Sequence, residues 1–213
     1  MERVLANSQV SQRVQFAFLP SEMVYAHSLN VFPLDTYAAF CVLQSRPHEI
    51  WARFLGSSMK DDLRYTPSDC FETYPFPRGW VTNPALEAAG EAYYEIRAQL
   101  MIANNEGMTR TYKRFHNPYE NDPEIVNLRK LHAAMDQVVL EAYGWKDIAT
   151  DCEFLLDYEM GEEEVERRKK PYRYRWPDDI QDEVLARLLE LNAQRPKRET
   201  GTKPAYWEDD DDE

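Results

Sequence analysis

The stretch Ser57-Ser58-Met59-Lys60-Asp61-Asp62-Leu63-Arg64-Tyr65-Thr66-Pro67-Ser68-Asp69-Cys70-Phe71-Glu72-Thr73-Tyr74-Pro75-Phe76-Pro77 joins a polar, cation-bearing edge to an aromatic run. Lys60, Arg64 and Tyr65 are side-chain types that grip phosphates and stack on bases, and Ser57, Ser58 and Thr66 can hydrogen-bond a nucleic-acid backbone. The prolines of the Phe71 to Pro77 run cannot continue a helix, which predicts a segment extended across an apolar surface. The same residues also suit a surface loop pinned by its aromatics, and one short motif does not separate the two readings.

Working outward toward the N-terminus, Arg13 to Leu34 has strand character. Val14, Phe16 and Phe18 alternate, Pro20-Ser21 breaks the run, and Met23 to Ala26 and Leu29 to Phe32 are two further extended candidates. A small antiparallel sheet is expected there. Asp35 is a candidate cap for a helix through Tyr37, Phe40 and Leu43. That helix stops near Ser45, and a second restarts with Ser45 as cap and Pro47 in its first turn. On the second helix Ile50, Trp51, Phe54 and Leu55 share a face, with Trp51 read as core rather than as a base-stacking platform. Arg46 and Arg53 on this helix, with Lys60 and Arg64, make a local cationic edge that could face a duplex. Asp61 and Asp62 lie inside that edge, where a carboxylate can accept from cytosine N4 or simply be a solvated neighbour.

Toward the C-terminus the pattern becomes helical. Asn83-Pro84 opens a helix carrying Leu86, Ala89, Tyr93, Ile96 and Leu100, which ends at Asn104-Asn105-Glu106-Gly107. Asp122-Pro123 repeats the signal for Ile125, Leu128, His132, Met135, Val139 and Ala142, closed by Gly144, and the two stripes are expected to pack on each other. The connection from Gly107 to Asn121 reads as a long loop in which Arg110, Lys113, Arg114 and His116 alternate with Tyr112, Phe115 and Tyr119. That composition suits a nucleic-acid backbone, or a loop that folds its aromatics under itself. Arg167 to Trp176 is a second basic and aromatic cluster, with Glu162, Glu163, Glu164 and Glu166 close enough to neutralise it. A last helix after Asp178 carries Val184, Leu185, Leu188, Leu189 and Leu191. The expected fold is α+β: a small antiparallel sheet with flanking helices (residues 1–80), a mainly helical module (81–195) and a disordered acidic tail (196–213).

Composition bounds the function. A chain of 213 residues with 43% hydrophobic and 13% aromatic residues is globular. No apolar run is long enough to span a bilayer, and a reducing cytoplasm suits Cys41, Cys70 and Cys152, an odd and scattered set. The four histidines are equally dispersed, so spacing supports no metal site. A net charge of −13 argues against a protein that coats DNA by general attraction. Residues 147–213 carry 21 acidic and 11 basic side chains, so most of that charge lies behind the cationic edge.

With Leu43-Gln44-Ser45-Arg46-Pro47-His48-Glu49-Ile50-Trp51 before it, the opening stretch resembles the C-terminal target-recognition and helical region of large adenine-specific DNA methyltransferases. These are the MmeI-like and related type IIG enzymes, in which restriction and modification are fused for phage defence. The residues that carry the resemblance are Leu43, Ser45, His48, Trp51, Ser57, Lys60, Asp62, Arg64, Tyr65, Thr66, Phe76 and Pro77, with looser similarity over Leu128 to Trp145 and Leu185 to Asn192. The resemblance implies recognition of double-stranded DNA through Ser57, Ser58, Lys60, Arg64, Tyr65 and Thr66, flanked by Arg46 and Arg53. It also implies a methyltransferase catalytic domain or subunit as partner, because the family's engine is missing here. The seven glycines include no Gly-rich turn for S-adenosylmethionine, Asn117-Pro118-Tyr119-Glu120 reads as a turn rather than a catalytic loop, and Pro177-Asp178 has no nuclease partner downstream. A structural docking module or truncated remnant that binds a methyltransferase without touching DNA is the alternative.

Overall fold

The computed structural model describes residues 1–59, 62–156 and 172–194. The fold is α+β, as expected. Strands β1 (Arg3–Ser8), β3 (Phe16–Pro20) and β4 (Leu29–Phe32) form an antiparallel sheet in the order β3-β1-β4. The central strand is therefore the one that hydrophobic periodicity did not mark. In β1, Val4, Leu5, Ala6 and Asn7 are all buried, so a strand covered on both faces shows no alternation of apolar and polar residues. Met23 to Ala26 is not a strand; Val24 is 99% exposed and the segment pairs with nothing in either sheet. A second small sheet has the order β2-β6-β5, built from β2 (Val10–Ser11), β5 (Ser57–Met59) and β6 (Asp62–Arg64).

Helix α1 (Tyr37–Gln44) is capped by Thr36, whose hydroxyl accepts from the Ala39 amide at 3.2 Å, and not by Asp35. Every residue from Ala38 to Gln44 is buried. Gln44 resolves the cost of that burial by serving β3 and the chain before it: its Oε1 accepts from the Phe16 amide at 2.9 Å and its Nε2 donates to Val14 O at 3.2 Å. Helix α2 (Arg46–Leu55) begins at Ser45 as expected, with Pro47 in its first turn. The Ser45 hydroxyl, however, donates back to Val42 O at 2.7 Å instead of capping α2. Trp51 is core, its indole N–H donating to Thr73 Oγ1 at 3.0 Å, whereas Phe54 turns out to solvent at 52% exposure. The Phe71 to Pro77 run does pack on apolar surface, but through turns that follow a one-turn helix, α3 (Pro67–Cys70). Phe71 lies 4.7 Å from Phe32 and Phe76 stacks on Trp80 at 4.9 Å between ring centroids.

The C-terminal helices follow their caps. Asn83 Oδ1 accepts from Ala85 N at 3.0 Å to open α4 (Pro84–Ala103), and Asp122 Oδ1 accepts from Glu124 N at 2.8 Å to open α6 (Pro123–Tyr143). Gly144 ends α6 in the left-handed region, φ 82°. The segment expected as a long loop instead holds α5 (Met108–Phe115), which buries Thr111, Tyr112 and Phe115 on one face. Its C-terminus is closed by Arg129, which donates to the carbonyls of Arg114, Phe115, Asn117 and Glu120 at 2.9–3.2 Å. Asn117 to Glu120 is a turn, as expected, closed by the Glu120 amide on Asn117 O at 3.1 Å. A two-stranded sheet, β7 (Glu153–Leu156) with β8 (Tyr172–Arg175), precedes α7 (Asp178–Ala193). Arg167 to Pro171, half of the second basic cluster, and the acidic Glu162 to Glu166 beside it lie outside the described residues, as does the acidic tail.

One hydrophobic cluster runs from Leu5 to Leu188 and crosses the change of composition near residue 80. Helix α1 packs on α4, and α4 on α6. Arg97 of α4 reinforces the first contact by donating to Gln44 Oε1 at 3.3 Å while lying 5.0 Å from the Phe40 ring centroid, and it ties β3 to the same point by donating to Phe16 O at 2.8 Å. Gly90 lets α1 and α4 approach this closely, since a Cβ there would overlap the Tyr37 carbonyl, which is backbone and cannot step aside. Gly90→Ala is therefore expected to destabilise the chain by about 1–3 kcal/mol in urea denaturation, despite the higher helix propensity of alanine.

Candidate nucleic-acid interface

Strands β5 and β6 pair Ser57 with Arg64, Ser58 with Leu63 and Met59 with Asp62, and β2 adds Val10 opposite Arg64. Leu63 and Tyr65 are buried, so the pleat turns Arg64 outward between them. The result is a cross-strand row, Val10, Arg64 and Ser57, on the exposed face; Val10 is 40% exposed and Ser57 and Arg64 are exposed. Lys60 and Asp61, between the two strands, lie outside the described residues, and Ser58 contributes its backbone to β5. Thr66 is half-buried at the start of α3, where its side chain makes no capping bond.

Two of the sequence-predicted contact residues are elsewhere. Tyr65 is in the core, 6.0 Å from Phe16 and 6.2 Å from Phe32, so its ring has no face to offer a base. Its hydroxyl lies 3.1 Å from His48 Nε2, while His48 Nδ1 lies 2.7 Å from Leu43 O. A carbonyl only accepts, so Nδ1 carries the proton and the Tyr65 O–H donates to Nε2. Burial pushes the His48 pKa down from 6.5 to about 4, and burial likewise holds His116 well below the ordinary value. Arg46 is also buried. Its amide donates to Asp136 Oδ1 at 2.8 Å, and its Nη1 pairs with Asp136 Oδ2 and donates to His132 Nδ1 at 2.7 Å. Burial lowers the Arg46 pKa, but Asp136 more than offsets this and the guanidinium stays charged. His132 is thus a core residue, as expected, and one with an ionic neighbour.

Arg53 is half-buried between α2 and the chain after β2. Its Nε donates to Glu49 Oε1 at 3.0 Å and its Nη2 to Gln12 O at 2.8 Å. Arg173 of β8 makes the same pair of contacts, to Glu49 Oε1 at 3.0 Å and to Gln12 O at 3.0 Å. Burial raises the Glu49 pKa, yet Arg53 and Arg173 outweigh it and hold the carboxyl well below the usual carboxylate range. Arg173 could not be singled out from sequence because its partner lies 124 positions away. The arginines around α5 meet acids, Arg114 reaching Glu106 at 3.4 Å, Glu120 at 2.9 Å and Asp122 at 2.7 Å and Arg110 reaching Glu106 at 3.1 Å, while Lys113 is exposed. His116 is buried and accepts from the Tyr174 amide at 3.0 Å. This is the self-folded alternative for that segment rather than a phosphate track.

Residues 5–78, the unit that carries the exposed row, match the family described as the MmeI target recognition domain. A DNA methyltransferase A of Bacillus subtilis (strain 168) is 28% identical over 114 residues, which is 54% of this chain and 12% of that protein. Among solved structures, the type IIL restriction-modification enzyme MmeI in complex with DNA superposes with a TM-score of 0.57 at 19% identity, covering 90% of this chain and 21% of that one. The chain thus resembles the target-recognition region of MmeI-like enzymes and shares its fold. It spans about an eighth of the curated relative and a fifth of the solved one.

Two stability measurements follow from the buried charges. Asp136→Asn leaves the Arg46 guanidinium buried without a counter-charge, and is expected to cost about 3–5 kcal/mol in urea denaturation. A paired Arg46→Met, Asp136→Leu variant should recover most of that loss. A histidine held neutral with a pKa lowered to about 4 binds fewer protons folded than unfolded between that value and 6.5. Its stabilisation is therefore complete above pH 6.5 and is lost as the pH falls toward 4. His48 should account for about 2 kcal/mol lost between pH 7 and pH 5. His48→Gln should flatten that part of the pH profile, and an unchanged slope would contradict the assignment.

Proposed function

We propose that this chain is the DNA-recognition portion of an adenine-N6 methyltransferase of a restriction-modification system, working in the cytoplasm with a separate catalytic domain or subunit. One observation carries the reading. The segment that matches the target recognition family also presents a ribbon, β5–β6, within the three-stranded sheet β2-β6-β5, with Arg64 and Ser57 outward on one face. Arginine is the commonest reader of guanine in the major groove of B-DNA. In this reading Arg64 and Lys60 take phosphate or guanine contacts, Ser57, Ser58 and Thr66 bond the backbone, and Arg53 holds α2 behind the ribbon.

S-adenosylmethionine belongs to the partner. All paired strands among the described residues are antiparallel, and the described glycines are dispersed over separate turns and the interior of α4. A nucleotide-like cofactor is ordinarily cradled by a strand, a Gly-rich turn and a helix, an arrangement this reading assigns to the catalytic partner. No helix of the described residues is long and apolar enough to cross a membrane. The net charge of −13 favours the second reading, a docking module whose surfaces meet only the catalytic body.

Anisotropy with duplex pools of random sequence, using the chain alone and co-purified with a methyltransferase body, separates the two. Arg64→Gln should weaken binding by about tenfold or more. Lys60→Gln should make the salt dependence shallower by about one phosphate and leave the preferred sequence unchanged. Binding of the methyltransferase body without any duplex would establish the docking module instead, and equal duplex binding by all three proteins would remove Arg64 and Lys60 from the interface.

A further inference from the structure

A cleft of about 250 Å³ lies between α2, β8 and α7. Arg46, Arg53, Arg173 and Arg175 line it, against Glu49 and Asp178. Asp136 behind the wall balances Arg46, and Glu49 is shared by Arg53 and Arg173. Four guanidiniums thus meet at one cleft in a chain that carries −13 overall. Sharing Glu49 and the Gln12 carbonyl also holds two of the guanidiniums in place before any ligand arrives, so little side-chain entropy remains to be lost on binding.

Arg175 supplies the unmet valence. Its side chain is 19% exposed, and both of its hydrogen bonds, to Asp178 Oδ1 and to Trp176 O at 3.1 Å, leave from Nη1. The Nε and Nη2 edge, which matches two oxygens of a phosphate, is engaged by no described residue. Asp178, its partner, is 78% exposed on the first turn of α7 and can release it to solvent. Arg53 likewise uses two of its five N–H donors. The cleft is close to the ribbon: Gln12, which both arginines grip, is two residues beyond Val10 of the exposed row, roughly 7 Å or less along the chain.

We propose that this arginine cleft is a site for a phosphate-class anion, filled by a backbone phosphate of the duplex that the β5–β6 ribbon reads. The assignment to duplex rests on the function proposed above; the anion site itself does not. Two arms separate them. In the first, the melting temperature of the full chain is measured in inorganic phosphate and in chloride at matched ionic strength. Phosphate should raise it for the native chain and not for Arg175→Gln. An equal rise in both, which a general salting effect would give, overturns the site.

The second arm is duplex binding. Arg175→Gln should weaken it by about tenfold, with the log–log salt slope shallower by about 0.9, the share of one phosphate. Asp178→Asn should act in the opposite direction and tighten binding, because it frees Arg175 and removes a charge that repels the strand. If the native chain binds duplex and neither substitution changes it, the backbone assignment is wrong. If the native chain binds no duplex, the recognition function has failed, and the phosphate arm alone decides the cleft as a site for a free phosphate ligand.

Discussion

The ion pair between Arg46 and Asp136 is the constraint on which the rest of the structure hangs. Arg46 is the first residue of α2 and Asp136 lies in the body of α6, 90 positions later. One carboxylate receives both the Arg46 amide and its guanidinium, so it fixes where α2 starts as well as where the side chain goes. From that start follow the depth of His48 and Trp51 in the core and the point at which the chain leaves α2 for β5. The Arg46 Nη2 also reaches Tyr174 O at 3.4 Å, so β8 is tied to the same point. A buried pair of this kind gains little net stability over an apolar pair of equal volume, since desolvating both ions costs about what their attraction returns. Its contribution is register: α2, α6 and β8 can meet in one arrangement only if these charges meet.

This changes what the resemblance to target-recognition domains means physically. Ser45, His48, Trp51 and Tyr65, four of the residues that carry it, are buried and bonded to other parts of the core. They build the platform under the ribbon. Ser57 and Arg64 from the same motif are the ones that face outward. A shared pattern dominated by platform residues identifies a fold and a mode of presentation. It carries little information about which bases are read, because the outward-facing positions Ser57 and Arg64 can vary without disturbing His48 or Trp51.

The legible parts of the sequence were those governed by local chemistry. Asn83, Asp122 and Gly144 mark helix ends because a cap needs only its own next few residues. The stripe Leu86, Tyr93, Leu100 and its counterpart in α6 were readable for the same reason. What failed had distant causes. β1 is hidden because its burial on both faces comes from elements far along the chain, and α5 looked like a loop because the arginine that closes it comes from α6. Thr36 in place of Asp35 is a shift of one residue, the usual limit for a cap judged without its backbone angles. Arg46 was read as a surface cation because nothing within ten residues announces Asp136. In the candidate site, the exposure of Ser57 and Arg64 agrees with the alternation around them, while Tyr65, next in the same alternation, had to point inward.

The charge balance completes the physical picture. Among the described residues seven arginines meet carboxylates: Arg46 meets Asp136, Arg53 and Arg173 meet Glu49, Arg110 meets Glu106, Arg114 meets three carboxylates, Arg175 meets Asp178, and Arg187 meets Asp147 and Glu183. An acidic body with these cations neutralised has little long-range field to draw in a duplex, and at 0.15 M salt a field would reach only about 8 Å. Binding of DNA by such a chain must therefore come from a few close contacts placed at the right spacing, with little background affinity for other sequences. Weak background binding raises the ratio of specific to non-specific affinity, the quantity that a sequence-reading module has to maximise.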